Sequence, residues 1–171
     1  GQGTAGLEMM AEVARRGVKL DAVLINVSGG GLASGIAVAV KDASPSTDVW
    51  TVEPAGFDDF ARSLASGKPE RNDRLSGSIC DALMAETPGK HTFAIGTALM
   101  KGGVSVTDDE VRDAMRFAFE ELKLVVEPGG AASLAAILTG KVPVEGRAVA
   151  ALISGGNADP TQFAKIITRA A

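Results

Sequence analysis

The sequence predicts an α/β fold, a mostly parallel sheet with helices on both faces, and three observations carry that reading. Residues 22–27 and 148–153 are short, continuous apolar runs, the mark of strands covered on both sides. Each run ends in a glycine turn, Ser28-Gly29-Gly30-Gly31 in the first case and Ser154-Gly155-Gly156-Asn157 in the second. An Ala/Val-rich segment then separates the first strand from another at residues 49–52. Strand, helix and strand over this length imply a right-handed crossover between parallel neighbours.

The elements follow in order. Residues 4–16 place Leu7, Met10, Ala11 and Ala14 at helical spacing, and Gly17 is a stop. After the first strand and its glycine turn, a helix runs to about Ala43 and is broken by Ser44-Pro45-Ser46. The strand at 49–52 ends at Glu53-Pro54, and a helix over 57–66 is closed by Gly67. Residues 67–90 read as a long surface loop, a length that is usually functional or mobile. A helix over 91–101 ends at Gly102-Gly103, and residues 104–106 form a short strand. Thr107 with Glu110 three residues on is a capping box. The helix it opens carries Val111, Ala114, Met115, Ala118 and Leu122 on one face. Pro128 suits the first turn of an alanine-rich helix over 131–138, which Gly140 closes. Asp159-Pro160 caps a terminal helix running towards Arg169.

Totals exclude several function classes. The 171 residues amount to about one domain, with a net charge of -4 and no basic run, so nucleic acid and anionic membrane are poor partners. No apolar run reaches membrane-spanning length. A single cysteine, Cys80, allows no internal disulfide and fits a reducing, cytoplasmic setting. Aromatics are only 4% while glycine is 21 of 171 residues, which favours close helix–sheet packing and glycine loops. Cys80 and Trp50 read as packing residues, and the one histidine, His91, as a surface position. The chain opens on Gly1 with no Met, which suggests the downstream part of a longer protein or a processed N-terminus.

The first glycine turn opens onto a helix N-terminus, where unpaired N–H groups and the positive end of the dipole favour a phosphate. No Gly-Lys-Ser/Thr follows, so it is not a P-loop. Gly29, Gly31 and Gly35 give G-x-G-x-x-x-G, one residue off the dinucleotide fingerprint, and Glu53 stands where a ribose-binding acid would sit. A packing-only turn and a Rossmann-type site both remain open on this stretch alone. The second turn favours another ligand. If its strand is parallel to the first, both turns share the carboxyl edge of the sheet, and Ser154 offers a neutral hydroxyl to a ring nitrogen.

The set SGGGLASG, VEP, EPGGA and ISGGN, in that order and after the opening GQGTAGLE, resembles the fold-type II pyridoxal-phosphate enzymes. Within them it is most similar to the threonine/serine dehydratase and serine racemase group. The likeness covers essentially the whole chain and implies the large-domain portion of a tryptophan synthase β-like fold. It implies that the N–H groups of Ser28, Gly29, Gly30 and Gly31 cradle the phosphate of pyridoxal 5′-phosphate, with Ser28 where relatives often carry a fourth glycine. It implies that Ser154 bonds the pyridine nitrogen, that Gly155, Gly156 and Asn157 shape the ring pocket, and that Glu127 lies nearby. Glu127 reads equally as an acid favoured at a helix N-terminus. Glu53, Asp59 and the Phe57 carbonyl match a divalent-cation site for Mg²⁺ or Ca²⁺ in that group; two exposed acids after a strand are the alternative.

The expected reaction is deamination of L-threonine or L-serine to a 2-oxo acid and ammonia, by a protein that self-associates. Its Schiff-base lysine would sit upstream in a Ser-x-Lys-x-Arg-type stretch. None of the lysines at 19, 41, 68, 90, 101, 123, 141 and 165 has that context. The chain is therefore expected to be the C-terminal part of the large domain, without catalytic residues and inactive alone. An amino-acid racemase on the same scaffold, a dinucleotide-binding domain and a non-catalytic module are the other readings.

Overall fold

A computed structural model describes residues 1–169. Four strands, β1 (Ala22–Asn26), β2 (Asp48–Pro54), β3 (Gly102–Val106) and β4 (Val149–Ala151), form one sheet in the order β3-β2-β1-β4. All three pairings are parallel, with Ala22 opposite both Asp48 and Val149. The predicted fold class is the observed one. Among the described residues, no helix is long and apolar enough to cross a membrane.

Alternation along β1 assigns the two faces. Val23 and Ile25 pack with Met10, Ile36, Val40 and Phe60, which belong to α1 (Gly3–Arg15), α2 (Gly31–Ala43) and α3 (Asp59–Ser66). Leu24 points the other way, into a core with Val111, Met115, Ala132 and Ala135 of α5 (Asp108–Glu120) and α6 (Pro128–Leu138). Strand residues repeat with a period of two, so consecutive side chains feed opposite cores. On the first face, α1 and α2 cross closely: a Cβ at Gly35 would lie 2.6 Å from the Gly3 nitrogen.

The connectivity places the functional edge. From β1 the chain winds outward through β2 to β3, then returns by way of α5 and α6 to place β4 on the other side of β1. The winding direction therefore reverses beside β1. A crevice opens at such a reversal, outside the carboxyl ends of the strands. Both glycine turns lie there, since one follows β1 and the other follows β4.

Some boundaries differ from the sequence reading. Gly102 and Gly103 belong to β3 rather than ending the preceding helix, α4 (Lys90–Leu99). A Cβ at Gly103 would stand 2.4 Å from Thr51 Oγ1 and 2.5 Å from Ala61 Cβ, so this strand edge needs glycine to pack against β2 and α3. Leu122 is 43% exposed instead of lying on the buried face of α5. The helix stops at Glu120, Lys123 takes a φ of +59°, and the Leu124 N–H folds back onto the Ala118 carbonyl at 2.9 Å. β4 covers only 149–151 of the expected run. The 67–90 segment is mostly irregular, with a short 3₁₀ turn at Asp81–Leu83 and with Asn72, Cys80 and Leu83 buried. Burial pushes the Cys80 thiol up to about 12, which fits a packing role.

The capping box is present: the Glu110 N–H donates to Thr107 Oγ1 and the Thr107 N–H donates to the Glu110 carboxylate. Thr107→Ala is expected to cost about 1 kcal/mol, read as a lower urea midpoint with an unchanged slope. The terminal helix α7 (Pro160–Thr168) is capped by Asp159, whose carboxylate accepts from the Gln162 N–H at 2.7 Å.

Candidate functional site

A cavity of about 240 Å³ opens at the crevice. It is lined by Asn26, by Ser28, Gly29, Gly30 and Gly31, by Ala82 and Leu83, and by Ser154. The first turn and Ser154 of the second, far apart in sequence, thus share one cavity, while Gly155, Gly156, Asn157 and Glu127 do not line it.

The first turn is built to present backbone donors. Gly30 occupies the N-cap of α2 with a φ of +93°, a left-handed conformation that glycine adopts without strain. A Cβ there would stand 2.4 Å from Phe60 Cε2 and 2.8 Å from Thr92, whereas Gly29 and Gly31 face open space. Among the described residues, the N–H groups of Ser28, Gly29 and Gly30 have no protein acceptor. The Gly29 and Gly30 carbonyls, by contrast, are taken: Gly29 O accepts from the Gly89 N–H at 3.1 Å and from Thr92 Oγ1 at 2.5 Å, and Gly30 O from the Ser34 N–H at 2.9 Å. The N-cap and first turn of α4 thereby clamp the glycine turn with its donors turned outward, a contact that no local pattern signals. A cradle of free amides at a helix N-terminus has the chemistry that a phosphate dianion requires.

The second turn is held by Glu127. This residue stands at the N-cap of α6, yet its carboxylate does not cap that helix. Its Oε2 accepts from the Asn157 N–H at 3.0 Å, and its own N–H donates to the Gly155 carbonyl at 3.2 Å. Gly155 takes a φ of +74° and packs on the Glu127 carboxylate, where a Cβ would approach to 2.4 Å. Gly155, Gly156 and Asn157 are exposed, while Ser154 is half-buried. Beneath Ser154 lies a residue the sequence reading passed over. The Asn26 side chain is 3% exposed and donates towards Ser154 Oγ at 3.1 Å.

Glu53, Phe57 and Asp59 form a separate group at the end of β2. The acids are buried rather than exposed: Glu53 is 0% and Asp59 is 1% accessible. Glu53 accepts from the Phe60 and Ala61 N–H groups at 2.8 and 2.7 Å, which occupies both oxygens on the first turn of α3. That engagement removes Glu53 as a ribose-binding acid. Burial raises its pKa well above the carboxylate range and pushes Asp59 up to about 6. Asp59 Oδ1 accepts from the Asn72 amide at 2.6 Å, while Oδ2 is buried with no partner among the described residues. Among the described residues no donor reaches the Phe57 carbonyl, and no cluster of three or more His, Cys, Asp or Glu side chains is arranged to hold a metal.

Comparison with known proteins follows the same lines. The sequence profile of the family described as "Pyridoxal-phosphate dependent enzyme" matches residues 1–155. A serine racemase of Dictyostelium discoideum is 39% identical over 170 residues, covering 98% of this chain and 51% of the relative. An L-threonine ammonia-lyase of Thermotoga maritima is 36% identical over 169 residues, covering 99% of this chain and 41% of the relative. The crystal structure of a threonine deaminase from T.th. superposes with a TM-score of 0.87 at 42% identity, over 93% of this chain and 56% of that one. The chain spans about half the length of the curated relatives it matches.

Proposed function

This chain belongs to the pyridoxal-phosphate-dependent enzymes, and from that premise we propose that it forms the phosphate- and ring-binding portion of a threonine or serine ammonia-lyase. The single observation that carries the proposal is the shared cavity, with unpaired amides of Ser28, Gly29 and Gly30 on one side and the Ser154 hydroxyl on the other. Bound there, pyridoxal 5′-phosphate supplies an electron sink for chemistry at the α-carbon of an amino acid.

The chain's own residues bind and orient. Amides of the first turn, with those of the first turn of α2, hold the phosphate without a positive side chain. Ser154 donates its hydroxyl proton to the ring nitrogen. Because a serine hydroxyl is a far weaker acid–base partner than a carboxylate, Ser154 would hold a ring nitrogen by a neutral hydrogen bond and would not keep it protonated. Glu127 fixes the second turn through the Asn157 and Gly155 backbone, keeping Ser154 facing the first. Ala82 and Leu83 form one apolar wall. No lysine lines the cavity among the described residues. The Schiff-base lysine and the small domain are proposed to come from outside this chain, which alone would turn nothing over. In net terms L-threonine gives 2-oxobutanoate and ammonia. The protein is proposed to act on a small amino acid, to self-associate, and to work in the cytoplasm, where its one free, buried cysteine stays reduced.

The test is direct. The full-length protein incubated with L-threonine and pyridoxal phosphate is expected to release 2-oxobutanoate, and its absence with bound cofactor present would contradict the reading. Appearance of D-serine from L-serine would instead favour the second reading, a racemase, which the 39% identity to a serine racemase supports.

We also propose a cation site at the end of β2. Among the described residues, Asp59 Oδ2 lacks a partner and the Phe57 carbonyl has no donor. With Glu53, whose oxygens each keep a second lone pair beyond the Phe60 and Ala61 N–H groups and which would have to ionise on binding, they form an all-oxygen set of the kind Mg²⁺ or Ca²⁺ takes. Millimolar Mg²⁺ or Ca²⁺ is expected to raise the melting temperature by a few degrees, about 1–2 kcal/mol by ligand linkage. Asp59→Asn is expected to abolish that response; an equal shift in the variant would remove the site.

A further inference from the structure

Resting on the reading of Ser154 as the ring-nitrogen partner, we infer that Asn26 is a positioning residue that turns the Ser154 hydroxyl proton into the cavity. Strand β1 ends in an anomaly. Its other residues are Ala22, Val23, Leu24 and Ile25, yet the strand ends in an amide that is 3% exposed. A buried amide is costly unless each of its groups is bonded, so its partners state its purpose.

Those partners fix its orientation. Asn26 Oδ1 accepts from the Ser133 N–H and from Ser133 Oγ, both at 2.6 Å. A backbone N–H can only donate, so the oxygen must lie on that side. The Nδ2 group then faces the Gly130 carbonyl at 3.1 Å, the Leu152 carbonyl at 3.2 Å and Ser154 Oγ at 3.1 Å. Carbonyls can only accept. A flipped amide would set oxygen against two oxygens and an NH₂ against an N–H, so the chemistry admits one arrangement.

The consequence falls on Ser154. The amide has two hydrogens for these three oxygens, but the Gly130 carbonyl is also met by the Ser154 N–H at 3.3 Å. That leaves one hydrogen for the Leu152 carbonyl and one for Ser154 Oγ. An amide nitrogen accepts nothing, so the Ser154 proton does not point that way. The cavity is the direction left for the proton. A hydroxyl donating into the cavity matches a ring nitrogen with a free lone pair; a freely rotating one would serve a ring N–H as well. Without Asn26, the Leu152 carbonyl would lose its side-chain donor, and the Ser154 hydroxyl would be free to turn its proton away from the cavity. The hydroxyl would then show the ring a lone pair and favour its protonated form.

The experiment is a pH titration of the full-length protein loaded with pyridoxal phosphate labelled with ¹⁵N in the ring, read by the ¹⁵N chemical shift. Wild type is expected to hold the ring unprotonated through neutral pH. Asn26→Ala is expected to raise the apparent ring pKa by about one unit, the scale of one oriented hydrogen bond. Ser133→Ala, which removes one of the two donors behind Oδ1 and spares the backbone one, carries the test if Asn26→Ala does not fold. It should shift the pKa the same way by less. In the Ser154→Ala background, neither change should add a further shift. Wild-type titration in both variants, with Ser154→Ala altered, overturns the inference and leaves the functional reading standing. A titration insensitive to Ser154→Ala overturns both.

Discussion

Gly130→Ala is expected to lose about 3 kcal/mol of stability and to weaken pyridoxal phosphate binding at least tenfold. A Cβ there would lie 1.6 Å from the Ser154 carbonyl oxygen, 2.8 Å from its carbon and 2.9 Å from the Gly155 oxygen. All three are backbone atoms of the second turn, so no side chain can rotate aside. Relief requires α6 to move off the turn, and the Asn26 bond to the Gly130 carbonyl would go with it. Gly129→Ala is the control. Its Cβ would meet the Leu83 side chain at 3.2 Å, which can yield, and a change below about 1 kcal/mol is expected. Urea midpoints and cofactor fluorescence titrations read both effects. Equal behaviour of the two variants would show that the close approach of α6 to the second turn does not matter.

The other large effect belongs to the first turn. Gly30→Val combines a side chain forced to a φ of +93° with a Cβ placed 2.4 Å from Phe60 Cε2 and 2.8 Å from Thr92. The backbone strain alone is worth about 1–3 kcal/mol, and the clash adds to it. Both act on the segment whose amides face the ligand, so affinity for pyridoxal phosphate should fall at least a hundredfold, while unphosphorylated pyridoxal should change far less. Ser28→Gly should stay within about threefold of wild type, because a hydrogen bond from the backbone N–H survives any side chain. A parallel loss for both ligands would mean that the turn does not select the phosphate.

Much of this architecture was legible in the chain. Each strand that ends in a glycine turn announced itself by an apolar run with no polar alternation, and the capping box at Thr107 needed only four residues to be seen. What escaped were features set by distant partners. Gly102 and Gly103 look like a helix stop until Thr51 and Ala61 are seen crowding them. Leu122 keeps the helical period of α5, yet the chain turns at Lys123 before that period can be used. Asn26 meets Ser133, 107 positions away, and only the parallel pairing of β1 with β4 brings Ser154 within its reach. Thr92 and Gly89, which clamp the phosphate turn, stand at the edge of a segment that reads as featureless loop. Glu53 illustrates the opposite risk: its spacing from the first turn suits a ribose acid, while its carboxylate is spent on the amides of α3.

The account depends on two backbone turns gripping opposite ends of one ligand. Amide chemical shifts during parallel titrations with pyridoxal 5′-phosphate and with pyridoxal test this most directly. The account predicts that Gly29, Gly30 and Gly31 respond to the phosphorylated ligand alone, while Ser154 and Gly155 respond to both. Identical responses to the two ligands at the first turn, or movement confined to residues away from the cavity, would contradict it.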